Sequence, residues 1–227
     1  MCGRFTNEMT WSEIHALYSI HDASPSNMQP RYNIAPTQTV NFVQLDKAGN
    51  REFNSGRWGL VPFFANEVGK LTTFNARIET VDTSGVFREP FKKSRALIPA
   101  DGYFEWTVNA EDGKKDPWLL QLPDGEGFSF AGLCAHNDNI DGGLDSCTII
   151  TAPAVEHIAH IHTRMPIIIP QSSYERWLSC EDQGDQAKAY LLGSQIDSRL
   201  VFHRVDRAVG NSRYEGTDTK KPILNSM

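Results

Sequence analysis

The sequence has no long run of apolar residues and no hydrophobic secretion signal. None of its apolar runs approaches the roughly 20 residues that a membrane-spanning helix needs. Near the amino terminus, Arg4, Asn7 and Glu8 interrupt any candidate signal core. We therefore expect a cytoplasmic protein with no membrane anchor, or a nuclear one if the source is eukaryotic.

The chain also has few cysteines and no excess of positive charge. Its four cysteines, Cys2, Cys134, Cys147 and Cys180, include no C-x-x-C pair, which is typical of a protein from a reducing compartment. We expect the last three to be buried as small hydrophobic side chains. The formal net charge of −6 argues against binding to nucleic acid by bulk electrostatics alone.

The charge is distributed unevenly along the chain. Residues 1–95 contain eleven Lys and Arg against nine Asp and Glu, whereas residues 111–145 contain two against eight. The acidic stretch includes Asp112-Gly113, Asp124-Gly125 and the segment 138–143, which predict solvated turns and a loop. This distribution is compatible with a local basic groove elsewhere.

The chain reads as one α+β domain over residues 1–227, with a few helices around mostly antiparallel strands. Thr10-x-x-Glu13 forms a capping box that predicts the start of a helix, with Ile14 and Tyr18 on its apolar face. The absence of repeated strand–helix alternation argues against a doubly wound sheet. The other predicted helices cover Val155–His160, Ser172–Leu178 and Asp185–Leu192. The predicted strands are Thr39–Leu45, Arg95–Ala100, Gly102–Thr107, Trp118–Leu122, Phe128–Cys134, Cys147–Thr151 and Ile167–Ile169.

Removal of the first methionine would create a reactive pair of groups at the start of the chain. Cys2 would then carry a free α-amine beside its thiol, an arrangement that no other residue offers. The amine can attack an aldehyde to form an imine, and the sulfur can then close a five-membered thiazolidine ring. Alternatively, the thiolate is the nucleophile and the α-amine is its base. Cys2 is therefore the first candidate catalytic residue.

Asn75, Glu105 and His162 are further candidates from distant segments of the sequence. On a strand, Glu105 shares a face with Tyr103, and desolvation among aromatic rings raises the pKa of a carboxyl group. Such a group suits proton transfer near neutral pH. The alternative is an edge-strand glutamate that faces water.

The histidines His157, His160 and His162 do not predict a metal site. Imidazoles at this spacing can share one ion, but the first two are predicted on a helix and the third at the start of an extended segment. No neighbouring cysteine or carboxylate completes a ligand set. We expect neither a metal nor another cofactor.

Each of three candidates has an arginine two residues away. Arg4 follows Cys2, Arg77 follows Asn75 and Arg164 follows His162. In an extended segment both side chains of such a pair project from one face. A single arginine is more often a solvated charge or part of a structural ion pair, but the recurrence favours an anionic substrate such as a phosphate beside a sugar.

Seven ordered motifs, which run from Cys2 to about Asn211, resemble those of the SOS response-associated peptidase (SRAP) family. Residues 212–227 form a C-terminal tail beyond them. The motifs are Met1-Cys2-Gly3-Arg4-Phe5, Arg31-Tyr32-Asn33-Ile34-Ala35-Pro36-Thr37, Trp58-Gly59-Leu60-Val61-Pro62, Asn75-Ala76-Arg77-Ile78-Glu79-Thr80, Asp101-Gly102-Tyr103-Phe104-Glu105-Trp106, Ile161-His162-Thr163-Arg164-Met165-Pro166 and Arg207-Ala208-Val209-Gly210-Asn211.

The resemblance implies a compact α+β fold with a β-barrel-like core and a groove for single-stranded DNA. It implies that Cys2, freed of Met1, condenses with the ring-opened aldehyde of an abasic site. The product is a thiazolidine DNA–protein crosslink that shields the lesion during the DNA-damage response. The family also suggests autolytic removal of Met1 and an abasic-site lyase activity. We expect a monomer with single-stranded DNA containing abasic sites as its partner.

The resemblance also implies a role for each site residue. Asn75 would position the amine or the sugar, Glu105 would shuttle protons, and His162 would assist sugar ring opening and crosslink reversal. The predicted DNA contacts are Arg4, Arg77, Arg164, Pro36, Phe63 and Phe64. Phe63 and Phe64 stand where some relatives have tryptophans, so the aromatic wedge is retained with a smaller stacking area.

The sequence leaves three other functions open. Cys2 with His162 and Glu105 could form a cysteine peptidase. An amidohydrolase with an amino-terminal nucleophile also begins Met-Cys-Gly, but its Arg-His-Arg-Gly-Pro-Asp type motif is absent here. The non-enzymatic alternative is a single-stranded DNA-binding module in which Cys2 is inert.

Overall fold

The computed structural model describes residues 2–20, 28–69, 73–140 and 142–223. Three parts of the predictions lie outside the described residues: Met1, Asp141 of the predicted acidic loop, and residues 224–227 of the predicted tail. The described part of the chain contains thirteen β-strands and four α-helices. The strands are β1 (Phe5–Asn7), β2 (Arg31–Ile34), β3 (Thr39–Leu45), β4 (Arg51–Trp58), β5 (Asn75–Arg77), β6 (Arg95–Ala100), β7 (Gly102–Val108), β8 (Lys115–Gln121), β9 (Phe128–Asn137), β10 (Leu144–Pro153), β11 (Arg164–Pro166), β12 (Ile168–Ile169) and β13 (Val201–Arg204). The helices are α1 (Trp11–Tyr18), α2 (Arg88–Lys93), α3 (Tyr174–Leu178) and α4 (Gly184–Ser194).

Five strands close a barrel in the order β10, β4, β3, β6, β9 and back to β10. Most neighbouring strands are antiparallel, whereas β4 and β5 run parallel to β10. Gly56 permits the close approach of β4 to β10, because a Cβ atom there would lie 2.6 Å from the carbonyl oxygen of Asp145. The predicted α+β fold with a β-barrel core and a few helices is confirmed.

A second, five-stranded antiparallel sheet carries the start of the chain. Its strand order is β13, β8, β7, β1, β2, so β1 lies between β7 and β2. Phe5 of β1 pairs with Tyr103 on one side and with Ile34 on the other. The Phe5 ring lies 5.0 Å from the Trp58 ring between centroids and so connects this sheet to the barrel. The residues before Phe5 are thereby held at the edge of the core.

The barrel strands contribute to two hydrophobic cores because successive side chains point to opposite faces of a strand. Phe42, Ile98 and Ile149 belong to the core shared with the five-stranded sheet. Their chain neighbours Val43, Leu97 and Ile150 belong to the core that also contains residues of the four helices. Cys2 is part of the first core and is fully buried.

The capping box predicted for the first helix is present. The Glu13 backbone N–H donates to Thr10 Oγ1 over 3.3 Å, and the Thr10 N–H donates to the Glu13 carboxylate over 2.6 Å. Ile14 and Tyr18 are buried as predicted. The helices predicted near residues 172–178 and 185–192 are also present, as α3 and α4.

The helix predicted over Val155–His160 is wrong. Only Glu156–Ile158 form a 3₁₀ turn there, followed by further turns. The segment must reverse direction between the antiparallel strands β10 and β11, and its buried side chains, Ile158 and Ile161, are three residues apart. Three residues is the period of a 3₁₀ turn and does not support a longer α-helix.

The structure shows the positions of three cysteines and of one acidic turn residue. Cys134 and Cys147 are buried as predicted, whereas Cys180 is partly exposed. Asp112, from the predicted solvated turns, forms an ion pair with Arg207 over 2.6 Å.

None of the helices in the described ranges is long and apolar enough to cross a membrane.

Candidate active site at the start of the chain

Long-range strand pairing brings the four catalytic candidates into one region. Cys2 precedes β1, which pairs with β7, the strand that carries Glu105. Asn75 begins β5, which pairs with β10, and the loop with His162 leads into β11, which also pairs with β10. The Phe104 N–H donates to the carbonyl oxygen of Arg4 over 2.9 Å and holds the first residues along β7. Sequence spacing alone does not reveal this arrangement.

Asn75 binds the backbone of Cys2 directly. Its Nδ2 atom donates a hydrogen bond of 2.7 Å to the Cys2 carbonyl oxygen, and both residues are buried. Among the described residues, the buried Oδ1 atom of Asn75 accepts no hydrogen bond. A buried acceptor without a donor is costly in a folded protein. The Asn75 amide thus holds the Cys2 backbone and has an unused acceptor beside it, and its role in a reaction at Cys2 stays a prediction.

We expect Asn75→Asp to slow any reaction at Cys2 by about tenfold, because a carboxylate cannot donate to the Cys2 carbonyl and places negative charge beside it. The measurement is the rate at which Cys2, freed of Met1, forms a covalent adduct with an aldehyde. Asn54→Asp, a half-buried asparagine of β4, is the matched control and should react at the wild-type rate. An Asn75→Asp variant as fast as the wild type would show that this hydrogen bond does not position the nucleophile.

Glu105 is buried beside His162. Its side chain is 5% exposed, and its Oε2 atom lies 4.0 Å from His162 Nε2. Burial raises the pKa of the Glu105 carboxyl group above its usual value, which suits a proton donor and acceptor near neutral pH. The alternative of a solvent-facing edge glutamate is wrong.

The backbone of Arg164 holds the His162 ring in place. Nδ1 of the ring lies 2.9 Å from the Arg164 backbone nitrogen and 3.1 Å from the Arg164 carbonyl oxygen. The other ring nitrogen, Nε2, faces Glu105. His162 and Glu105 can therefore exchange a proton through a small side-chain movement or one bridging water.

The environment of Cys2 opposes a preformed thiolate. Burial raises the pKa of the Cys2 thiol, and the nearby Glu105 carboxylate raises it further. Hydrolytic cysteine nucleophiles need the reverse shift, produced by a cationic neighbour or a helix amino terminus. The thiol at this site is stabilised in its neutral form.

Two of the three recurring arginines have internal partners. Nη1 of Arg4 donates to Asn33 Oδ1 and to the Val209 carbonyl oxygen, each over 2.8 Å. Arg164 forms an ion pair with Glu79 and donates from Nη2 to the Thr151 carbonyl oxygen over 2.7 Å. Arg77, by contrast, is exposed on β5. Hydrogen bonds and an ion pair within the protein account for the positions of Arg4 and Arg164. A role in DNA binding for either residue stays a prediction.

Asn33 was not identified as a site residue from the sequence. It is fully buried and donates from Nδ2 to the carbonyl oxygens of Val209, Asn211 and Tyr214 over 2.8 to 3.2 Å. With Arg4, it joins the start of the chain to the segment after β13. Arg4, Asn33 and the pair Val209 and Asn211 lie in three of the ordered motifs, but the contact depends on distant segments meeting in the fold.

Two of the three predicted wedge residues line one pocket. Pro36 and Phe64 line a pocket of about 180 Å³ together with Trp58 and Phe74, the neighbour of Asn75. The side chains of Phe63 and Phe64 are 60% and 56% exposed, and their rings meet edge to face with centroids 5.3 Å apart. An exposed aromatic pair therefore lies on the surface near the catalytic candidates.

The histidine group is dispersed in the structure. His157 is exposed, and His160 packs edge-on against Phe202 with ring centroids 5.3 Å apart. Within the described part of the chain, no group of three or more His, Cys, Asp or Glu side chains is arranged to hold a metal ion.

A family model described as SOS response associated peptidase (SRAP) matches residues 1–212. The chain belongs to the SRAP family. Curated SRAP relatives carry a common name. The abasic site processing protein YoaM of Bacillus subtilis is 33% identical over 207 residues, which cover 89% of this chain and 90% of YoaM. The abasic site processing protein YedK of Escherichia coli is 29% identical over 232 residues, which cover 98% of this chain and all of YedK.

The SRAP fold is also found in a solved structure. A crystal structure of a protein from Bacteroides thetaiotaomicron superposes with a TM-score of 0.82 at 21% identity, covering 98% of this chain and all of that one.

A eukaryotic relative, the abasic site processing protein HMCES of Pongo abelii, is 26% identical over 238 residues, covering 88% of this chain and 67% of HMCES.

Proposed function

We propose that this SRAP protein processes abasic sites in single-stranded DNA by forming a covalent thiazolidine crosslink between the lesion and Cys2 after Met1 is removed. The observation that carries the proposal is the gathering of Asn75, Glu105 and His162 around a buried Cys2 whose carbonyl group is held by Asn75. The curated relatives named as abasic site processing proteins support the same substrate.

The chemistry requires one condensation. The neutral α-amine of Cys2 adds to the aldehyde carbon of the ring-opened sugar, and loss of the carbinol oxygen as water leaves an imine. The sulfur then forms a bond to the imine carbon, while the thiol proton moves to the nitrogen. The net change is two new bonds to the aldehyde carbon and the loss of one water. An α-amine has a pKa of about 7.7 to 8.0, so a useful fraction is neutral in a cell.

Glu105 and His162 supply the proton transfers. Protonated Glu105 donates to the departing hydroxyl group and can later accept the thiol proton. The Nε2–H of His162 donates to the sugar ring oxygen when the closed form opens to the aldehyde. A buried carboxyl group with a raised pKa can act in both directions near neutral pH.

This route fits the neutral Cys2 thiol better than a hydrolytic route does. A peptidase or amidohydrolase needs a thiolate that attacks a carbonyl group, and burial here raises the pKa of the thiol. In the crosslinking route the amine attacks first, and the thiol reacts within the same residue with a reactive imine. The site therefore favours aldehyde capture over hydrolysis.

The DNA strand is held by a few contacts. Exposed Arg77, two residues from Asn75, can bind a phosphate, while Phe63 and Phe64 can stack on neighbouring bases. An abasic sugar has no base to unstack, so its extrusion into a buried site costs less than flipping a normal nucleotide. We expect reversible binding by a monomer that weakens with salt.

The test is incubation of Met1-free protein with a single-stranded oligonucleotide that contains one abasic site. We expect an adduct that survives heat and denaturant, and none with the same oligonucleotide without the lesion. A peptide substrate cleaved in a Cys2-dependent manner, with no DNA adduct, would instead support the peptidase alternative.

A further inference from the structure

The exposed aromatic pair lies on a tight turn. Residues 62–65 form the turn, closed by the Ala65 N–H donating to the Pro62 carbonyl oxygen over 3.0 Å. Phe63 and Phe64 occupy its two central positions, and more than half of each side chain is exposed. The orientation of both rings therefore depends on the contacts that hold the backbone of these four residues.

The hairpin between β9 and β10 holds this turn from the side. Asn137, the last residue of β9, donates from Nδ2 to the Pro62 carbonyl oxygen over 2.6 Å and to that of Ala65 over 3.0 Å. Asn139 donates from Nδ2 to the Phe63 carbonyl oxygen over 3.0 Å. Two amide side chains therefore bind three of the four carbonyl groups of the turn.

The two asparagines are themselves fixed. Asn137 is fully buried, and its Oδ1 atom accepts the Asn139 N–H over 2.8 Å, so its side chain uses both its donor and its acceptor groups. His136 lies between two carboxylates of the same hairpin, with Nε2 3.0 Å from Asp138 and Nδ1 2.8 Å from Asp145. These contacts brace the end of the hairpin that carries Asn139.

The chain just before the turn is held by the same hairpin. The Val61 N–H donates to Ser146 Oγ over 2.9 Å, and Ser146 lies on β10. The turn is therefore attached to β10 at its entry and to the end of β9 along its length. A hydrogen-bonded attachment of this kind fixes the position of the rings without covering them.

We propose that Asn137 and Asn139 are positioning residues that hold the Phe63–Phe64 turn as a rigid stacking platform for the DNA bases beside the lesion. This inference rests on the proposed function for the identity of the ligand. Base stacking requires ring faces at fixed positions, and a platform that is ordered before binding loses less entropy when the strand docks. No part of this role belongs to the reaction at Cys2.

The first test is equilibrium binding of Asn139→Ala to an undamaged single-stranded oligonucleotide. Asn139 is exposed, so the variant should fold with an unchanged melting temperature. We expect its dissociation constant to rise by about three- to tenfold, in the same direction as for Phe63→Ala and Phe64→Ala. The half-saturating DNA concentration in the crosslinking reaction should rise by more than the maximal rate falls.

A double-mutant cycle separates positioning from an independent contact. In a protein that already carries Phe63→Ala and Phe64→Ala, adding Asn139→Ala should weaken binding no further, because the rings it positions are gone. Asn50→Ala is the matched control, since Asn50 is an exposed asparagine in the β3–β4 hairpin whose amide donates to Asp46 over 3.2 Å. It should bind as the wild type does.

Different results would reject the positioning role and the proposed function. Binding by Asn139→Ala equal to that of the wild type, additive losses in the cycle, or an unchanged affinity after removal of both rings would each overturn it. Absence of measurable single-strand binding by the wild type would also overturn it. Absence of a covalent adduct, with the binding results as expected, would reject the proposed function and leave the positioning role supported.

Discussion

Cys2→Ala should abolish the heat-resistant adduct with abasic-site DNA, lowering its yield by at least about a hundredfold. After removal of Met1, the variant keeps an α-amine and can still form an imine with the aldehyde. It has no sulfur to close the five-membered ring, so the imine hydrolyses back to the free components. Denaturing electrophoresis of a labelled oligonucleotide, after heating, measures the yield.

Cys180→Ala is the matched control for this substitution. Cys180 is partly exposed and lies outside the site, so its removal tests whether any accessible thiol can form the adduct. We expect the wild-type yield. A heat-resistant adduct from Cys2→Ala, or its loss in Cys180→Ala, would contradict the assignment of Cys2 as the reacting residue.

Glu105→Gln should reduce the rate of crosslinking by about a hundredfold, because general acid–base catalysis contributes at least that factor when its donor is well placed. The wild-type rate should rise with pH as the α-amine loses its proton and fall at higher pH as Glu105 loses the proton that it donates. The variant cannot titrate at this position, so the falling limb should vanish. Single-turnover rates between about pH 5 and 9 measure both effects.

A stability measurement shows that a slower Glu105→Gln variant is not simply misfolded. Burial raises the pKa of Glu105 in the folded state, so the fold favours the neutral carboxyl group, and the free energy of unfolding falls as the pH rises from the unfolded-state pKa through the raised folded-state pKa. Glutamine mimics the neutral form. The variant should therefore melt at or above the wild-type temperature at pH 8, and this advantage should disappear below about pH 4.3, the usual glutamate pKa.

Glu52→Gln is the control for both measurements. Glu52 is an exposed glutamate of β4, so its substitution should alter neither the crosslinking rate nor its pH profile. A Glu105→Gln variant with the wild-type rate and the wild-type profile would remove Glu105 from the mechanism. A lower melting temperature at pH 8 would show that the buried carboxylate stabilises the fold.

Local sequence patterns predicted those elements whose bounds are set locally. Strands β3 and β6 have the predicted bounds, and the capping box begins α1 where expected, because short apolar runs and capping side chains act over a few residues. The helix over residues 155–160 was wrong because the antiparallel pairing of β10 with β11 overrides the local pattern. Strand β5 has three residues, and its place is set by the parallel pairing with β10.

Local sequence patterns also predicted part of the candidate active site. The aromatic neighbours of Glu105 indicated its burial, and the extended pair of Asn75 and Arg77 is observed in β5. The hydrogen bond from Asn75 to the Cys2 backbone spans 73 residues and could not be derived from spacing. Asn139 lies in the predicted loop 138–143, and no sequence pattern singled out Asn137. Only the fold shows that both residues bind the turn at residues 62–65.

Capture of the lesion by Cys2 is tested most directly by the intact mass of the protein before and after reaction with single-stranded abasic-site DNA. We expect a protein that lacks Met1, and an adduct whose mass is the sum of protein and oligonucleotide less one water. Proteolysis should place the modification on the peptide that begins with Cys2. An adduct on a protein that retains Met1, an adduct on another residue, or no mass change in Met1-free protein would contradict it.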